Sequence, residues 1–344
     1  MKILAACTGG GVGDLLAALP ALQALHRHFG VRVDVLATPY AAPILEGQAC
    51  VANVYSDDGS TPLRVAAERL RLRGYTHAIV FWSNPRIAAL LARAAIPVRV
   101  GQSRRLYSFR YTTRVPVRTE SGDTTSHWTD IQMDYARALG VRPQARDYTV
   151  NLPLTDDDKA NAQRVLDTLA LRGPFVMLHA VRGVSSQKAG WPTATFAALG
   201  DKLAEEFSAP VLLTGAADER RIAQRIASTM RRPVYNAAGL STLRGLAALA
   251  QTALVVVALD SGPMHIAAAV GAPTVGIFAL RTDLPNRWRP LGPRVAVIEP
   301  SYVCPAWCKK ETCRTFACCA ALSVDDITAK ARSLTTQAPA EIAL

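Results

Sequence analysis

The stretch Ala253-Leu254-Val255-Val256-Val257-Ala258-Leu259 runs directly into Asp260-Ser261-Gly262-Pro263-Met264-His265 and then an alanine-rich segment. The unbroken apolar run predicts a strand buried on both faces, as in a parallel sheet. Gly262 permits a sharp turn that brings the next helix N-terminus to the strand end. Backbone amides and the helix dipole at such a place suit an anionic ligand.

Working outward, strand-like runs at Lys2 to Cys7, Val31 to Ala37, Val51 to Ser56, Thr76 to Trp82 and Pro97 to Gly101 alternate with helical patterns at Asp14 to Phe29, Pro62 to Arg73 and Pro85 to Ala94. The alternation restarts after Thr155-Asp156-Asp157-Asp158, with strands near Phe175 to His179, Val211 to Thr214, Val234 to Asn236, Leu254 to Leu259 and Thr274 to Phe278. At 344 residues the chain exceeds what one growing core accommodates. The expected fold is therefore α/β: two doubly wound, Rossmann-like domains facing a cleft, residues 1–154 and 155–344, with a last helical segment near Ser323 to Leu334. The sequence leaves open whether that segment crosses back onto the first domain.

The apolar stretches fall short of the ~18 residues a membrane span needs, and Gly9-Gly10-Gly11-Val12-Gly13-Asp14 interrupts the N-terminal apolar run where a secretory signal would continue. A cytoplasmic enzyme is expected. Seven cysteines, five of them between Cys304 and Cys319, do not form a spread disulfide framework, and reduced thiols are expected. The formal charge of +12 favours an anionic partner. Aromatic residues are scarce and show no single-strand binding pattern, so nucleic acid is not expected.

The Gly9 to Asp14 turn follows a strand and opens a helix, yet it is neither a Walker loop nor a complete GxGxxG, because Asp14 stands where the last glycine belongs. Asp14 has two readings: a helix-start residue favoured by the dipole, or a general base held in the cleft. Lys188 is a solvated loop lysine or a cation facing phosphate, with Ser185 and Ser186 able to donate beside it. His265 either donates to a ligand oxygen or is a structural histidine, and Glu219 is a helix-start carboxylate or a nucleotide contact.

Taken together these pieces resemble glycosyltransferase family 9, the ADP-heptose lipopolysaccharide heptosyltransferases, over nearly the whole chain. Gly13-Asp14-Leu15-Leu16 with Pro20-Ala21-Leu22 is similar to the family opening. Asn236-Ala237-Ala238-Gly239-Leu240-Ser241-Thr242-Leu243, followed by Asp260 to His265 and Gly271-Ala272-Pro273-Thr274-Val275, resembles its most specific stretch. The resemblance implies a GT-B fold and sugar transfer with inversion from ADP-heptose, with no cofactor required. It makes Asp14 the base and Lys188 the group facing the diphosphate. It also implies donor contacts from Gly13, Ser185, Ser186, Gly215, Glu219, Asp260, Ser261, Gly262, Met264 and His265.

The sequence departs from the family in three places. An extra residue lies between Lys188 and Trp191-Pro192, and Ala279-Leu280 replaces a Gly-Pro. The third departure is the cysteine cluster: Cys304, Cys308, Cys313 and Cys318 could supply four thiolates to zinc or iron, although their spacing is not that of a zinc knuckle, and no metal is the expectation.

Arg99, Arg104, Arg105, Arg110, Arg114 and Arg118 form the densest basic stretch, with Tyr107, Phe109 and Tyr111 among them. It is either a solvated basic loop or, with Arg86 and His127, the acceptor side of the cleft, where guanidinium groups would meet a phosphorylated lipopolysaccharide-core acceptor. The resemblance implies peripheral contact with the cytoplasmic face of the inner membrane. Competing readings are transfer of another nucleotide sugar or to another acceptor, a nucleotide-linked oxidoreductase or sugar-nucleotide epimerase, and a non-catalytic, metal-bound scaffold of the same fold.

Overall fold

The structure, a computed structural model, describes residues 1–180, 193–280, 283–302, 304–305, 308–309 and 313–336. The chain divides into two compact units, Met1–Pro153 and a second beginning at Leu154. Among the described residues no helix is long and apolar enough to cross a membrane.

The first unit runs β1 (Ile3–Cys7), α1 (Val12–Phe29), β2 (Val33–Ala37), β3 (Val51–Ser56), α2 (Leu63–Leu72), β4 (His77–Val80), α3 (Pro85–Arg93), β5 (Val98–Gln102), β6 (Thr113–Val115) and α4 (Trp128–Arg137). Its sheet has the order β3-β2-β1-β4-β5-β6, every neighbour parallel. All five residues of β1 are buried, as a strand covered on both faces requires. Leu4 and Ala6 join Ala78 and Val80 in one core with Leu70, Ile87, Leu90 and Leu91 of α2 and α3; by alternation Ile3 and Ala5 face the other side. Helix ends follow local chemistry: Asn84 accepts from the Ile87 amide at 2.9 Å ahead of Pro85, and α1 ends at Gly30, whose φ of 66° spares a side chain the left-handed strain.

The second unit repeats the plan with α5 (Asp156–Thr168), β7 (Val176–His179), α6 (Thr193–Glu206), β8 (Val211–Leu213), α7 (Arg220–Thr229), β9 (Val234–Asn236), α8 (Leu243–Thr252), β10 (Val256–Leu259), α9 (Gly262–Ala269), β11 (Thr274–Ile277), β12 (Val295–Ile298) and α10 (Val324–Thr336). Its sheet order, β12-β11-β10-β7-β8-β9, is the first unit's order read from the other edge, again all parallel. Ile327, Ala331 and Leu334 of α10 pack into this second core with Val275, Ile277 and Leu203. That burial places the described part of the last helix on its own unit's sheet. α5 is fastened to α8 by a buried ion pair: Arg244 Nη2 lies 2.6 Å from Asp158 Oδ2, and Arg244 Nε lies 3.0 Å from both carboxylate oxygens.

In each sheet the strand order reverses between the first and fourth strands, β1 and β4 in one unit, β7 and β10 in the other. Ligand crevices of open parallel sheets open at the carboxyl ends of the strands flanking such a reversal. Both stretches singled out in the sequence, Gly9 to Asp14 and Asp260 to His265, lie at these ends.

Candidate active site

At the end of β1 the chain makes its glycine turn because bulk is excluded there. A Cβ on Gly9 would stand 1.5 Å from Trp82 Cδ1, and one on Gly10 would stand 2.5 Å from Asp14 Cβ. Asp14 is the third residue of α1, and its Oδ2 accepts from the Gly11 amide at 2.9 Å. The helix-start reading of Asp14 is therefore realised, yet only through one oxygen. Oδ1 is buried and has no hydrogen-bond partner. Burial raises the carboxyl above its ordinary value, against the lowering pull of the Gly11 and Asp14 amides. Burial, and then the Asp14 charge, push the adjacent Cys7 thiol up to about 12.

Asp14 lines a small hollow with Cys7, Gly10, Phe81, Trp82 and Gln132. Phe81, Trp82 and Gln132 also wall a larger hollow of about 280 Å³ that includes Ser83, Arg105, Glu120, Trp128 and Tyr135. The two indoles meet edge to face at 6.0 Å. Gln132 ties the wall together when its amide nitrogen faces the Phe81 carbonyl at 3.2 Å and its oxygen the Trp128 indole N–H at 2.9 Å. Arg105 enters the larger hollow paired with Glu120 Oε1 at 2.5 Å, while Glu120 Oε2 is buried and unbonded.

The other three residues expected on the acceptor side sit elsewhere. Arg86 reaches Asp57 Oδ1 at 3.3 Å and donates to the Thr61 carbonyl at 2.7 Å, closing the loop before α2. Arg104 is exposed, with Ser121 Oγ at 3.4 Å. His127 is buried, and its Nδ1 accepts from the Thr129 amide at 3.2 Å at the start of α4. Trp82, Trp128, Gln132, Glu120 and Tyr135 carry the hollow, and sequence reading missed them. The available signal was the position of Phe81-Trp82-Ser83 at the end of β4, beside the sheet reversal.

In the second unit, the Asp260 amide donates to the Ile277 carbonyl at 3.0 Å, tethering the turn to β11. The turn itself corrects the sequence reading. It is made by Ser261, extended at φ −162° and ψ 168°, while Gly262 opens α9 without a left-handed backbone. Ser261 Oγ donates back to the Leu259 carbonyl at 2.8 Å, and Asp260, Gly262 and His265 are half-buried around the helix start.

Met264, expected among the donor contacts, is wholly buried against Ala258 and Phe278; a Cβ on Gly276 would stand 2.5 Å from its sulfur. Its side chain holds α9 on the sheet. Glu219 is buried and caps the Ala216 amide at 2.7 Å through Oε2, packed beside Gly215. Buried His179, at the last position of β7, bonds Thr214 Oγ1 through Nδ1 at 3.0 Å and joins the ends of β7 and β8. Gly13 lies in the first turn of α1, in the first unit. Ser185, Ser186 and Lys188 lie outside the described residues.

The model of glycosyltransferase family 9 (heptosyltransferase) matches residues 64–317. The chain belongs to this family. It is 24% identical over 297 residues to lipopolysaccharide heptosyltransferase 3 of Escherichia coli (strain K12), covering 81% of this chain and 82% of that one. Among solved structures, a family 9 glycosyl transferase from Veillonella parvula DSM 2008 matches with a TM-score of 0.82 at 18% identity, over 98% of each chain. E. coli ADP-heptose lps heptosyltransferase II matches with a TM-score of 0.79 at 20% identity, over 97% of this chain and 98% of that one. These likenesses establish the GT-B fold.

Within this family 9 glycosyltransferase the thiols remain to be placed. Cys304, Cys318 and Cys319 are buried in the second core, with Cys308 packed against it. Burial, then the neighbouring Cys318 and Cys308 thiols, push Cys304 up to about 11. Among the described residues no group of three or more His, Cys, Asp or Glu side chains is placed to hold a metal ion.

Proposed function

We propose that this chain moves heptose from ADP-heptose to the inner core of lipopolysaccharide in a single displacement that inverts the anomeric centre. The observation that carries this reading is Asp14: one oxygen fixed by Gly11, the other buried and unbonded, in a small hollow whose Phe81, Trp82 and Gln132 also wall the larger hollow of the two indoles. A carboxylate held this way by its backbone, with its proton affinity raised by burial, is suited to take a proton at neutral pH.

Asp14 accepts the proton of the acceptor hydroxyl as that oxygen attacks the anomeric carbon. The bond to the diphosphate oxygen breaks on the opposite face, and ADP leaves with the electron pair. The amides at the start of α9 and Lys188 counter the charge that grows on the diphosphate. Asp260 and His265 hold donor hydroxyl or phosphate oxygens, and Gly215 and Glu219 shape the nucleotide side. No metal is assigned a step. The first unit takes the acceptor: the Trp82 and Trp128 faces suit a sugar ring, and Arg105 suits its phosphate or carboxylate. Such an acceptor is lipid-anchored, which places the enzyme at the cytoplasmic face of the inner membrane.

The test is mass analysis of a lipopolysaccharide-core acceptor after incubation with ADP-heptose. One added heptose supports the reading, and an unchanged acceptor counts against it. Thermal-shift comparison of ADP, UDP, GDP and NAD reads donor class separately, and selectivity for NAD would eliminate the transferase mechanism.

A further inference from the structure

The loop between β5 and β6 presents Leu106 at 99% and Phe109 at 66% exposure. Slack does not account for this display. The Tyr107 hydroxyl donates to the Ser83 carbonyl at 3.0 Å, and buried Ser108 donates to the Gln102 carbonyl at 2.7 Å while accepting from the Arg105 amide at 3.1 Å. Arg104 is held at a φ of 61°, a conformation that non-glycine residues adopt only when their surroundings impose it. Two inward residues thus separate two outward ones, and the outward pair are large and apolar.

Along the segment that carries them the charged side chains have one sign. Residues 99–119 contain arginine at 99, 104, 105, 110, 114 and 118, and neither Asp nor Glu. Some of that charge is spent internally: Arg105 pairs with Glu120, Arg118 pairs with Asp130 and Asp134, and Arg99 donates to the Arg110 carbonyl. Arg104 and Arg114 are exposed, and the Arg110 guanidinium lies 4.5 Å over the Phe109 ring.

We infer that this loop seats the enzyme on an anionic lipid bilayer, Leu106 and Phe109 entering the interface and Arg104, Arg110 and Arg114 meeting the headgroups. A protein partner would need a complementary floor around each anchor, whereas Leu106 stands clear of its neighbours. A fluid interface accepts an isolated apolar wedge, and basic residues beside it add attraction to anionic lipid. The inference deepens the proposed membrane-side acceptor and rests on that reading for its purpose. Binding to vesicles is measured without substrate, so the two fail separately.

The experiment is cosedimentation of the full chain with phosphatidylcholine vesicles, with and without phosphatidylglycerol. Wild type is expected to bind the anionic vesicles and not the neutral ones. L106E/F109E is expected to bind at least about tenfold more weakly, because two apolar contacts are replaced by repelled carboxylates. S228E/T229E, which makes the same charge change on the exposed end of α7, is expected to bind as wild type does. L106S/F109S, which adds no charge, is expected to lose binding while keeping the wild-type melting temperature. Equal binding by wild type and L106E/F109E, or no binding by wild type, overturns the assignment. So does a concentration-dependent dimer abolished by L106E/F109E, which would give the patch to a second copy of the chain.

Discussion

Replacing Asp14 by asparagine isolates the proposed base with little change of shape. The new side chain can still accept from the Gly11 amide, now 2.9 Å from Oδ2, so the start of α1 is retained. Its amide nitrogen then occupies the buried, unbonded Oδ1 position, where it can donate but cannot take a proton. Loss of general-base assistance is expected to lower turnover about 10²–10⁴-fold, or roughly 3–5 kcal/mol of barrier at ~1.4 kcal/mol per decade. ADP affinity, assigned to the second unit, should be unchanged by calorimetry. The pH profile adds a separate check. Because burial raises the Asp14 carboxyl in the fold, the wild-type rate should fall on the acid side at a midpoint above the ordinary carboxylate value, and the variant should lack that limb. Stability carries the opposite sign. A raised folded-state value favours the fold below the ordinary carboxylate range, and this contribution is lost as pH rises through the shifted value. At neutral pH the variant should therefore melt no lower than wild type. A variant with near-normal turnover, or one whose ADP affinity falls in step with its rate, refutes Asp14 as the base.

Gly9→Ala should force Trp82 away from the glycine turn, since the added Cβ falls 1.5 Å from Cδ1; an overpacking cost of about 1–3 kcal/mol should appear in urea titration, together with slower turnover. Arg105→Ala should raise the acceptor KM about tenfold or more by removing a charge-assisted contact and leaving Glu120 to repel an anion, with ADP affinity unchanged in the same titration series. Arg244→Ala breaks the buried pair with Asp158 and should cost about 3–5 kcal/mol, read as a lower midpoint for the second unit in chemical unfolding. Burial pushes the Asp158 carboxyl up, but the Arg244 and Thr155 bonds outweigh it and hold the group below its ordinary value. The pair's stabilisation should therefore persist above the ordinary carboxylate range and fade as pH falls through the lowered value, an acid-side loss that Arg244→Ala should reduce.

The α/β alternation and its restart after Thr155 were legible because parallel strands covered on both faces read as apolar runs, as Ile3 to Cys7 and Val256 to Leu259 do. Edge elements were harder. β6 is only Thr113-Arg114-Val115, and β12 is half-buried along its length, so neither carries the signature of a central strand. α4 begins at Trp128 after a histidine cap and mixes Asp, Gln and Arg with its apolar positions, which hid it. The two strand-end turns stood out because glycine and aspartate at strand ends are unusual enough to notice locally. The aromatic wall did not, because Trp82, Glu120, Trp128 and Gln132 come from separate segments and meet only after folding. His127 and Met264 have local structural tasks that the sequence did not announce. Their residue types suit a ligand site, but a free amide at the start of α4 claimed one and a gap over Gly276 claimed the other.

The parallel layout also sets when the hollow can exist. Ile3 lies beside His77, and Met177 beside Val256, so neither sheet can close its central seam until a long connection has been made and folded back. A nascent chain that has emerged only as far as α2 holds the glycine turn and Asp14 with nothing opposite them. Trp82 arrives with β4, and Trp128 and Gln132 follow only after the sheet's last strand. The pocket beside Asp14 is thus among the final acquisitions of the first unit during synthesis, and its presence certifies that everything from Cys7 to Tyr135 has reached its place.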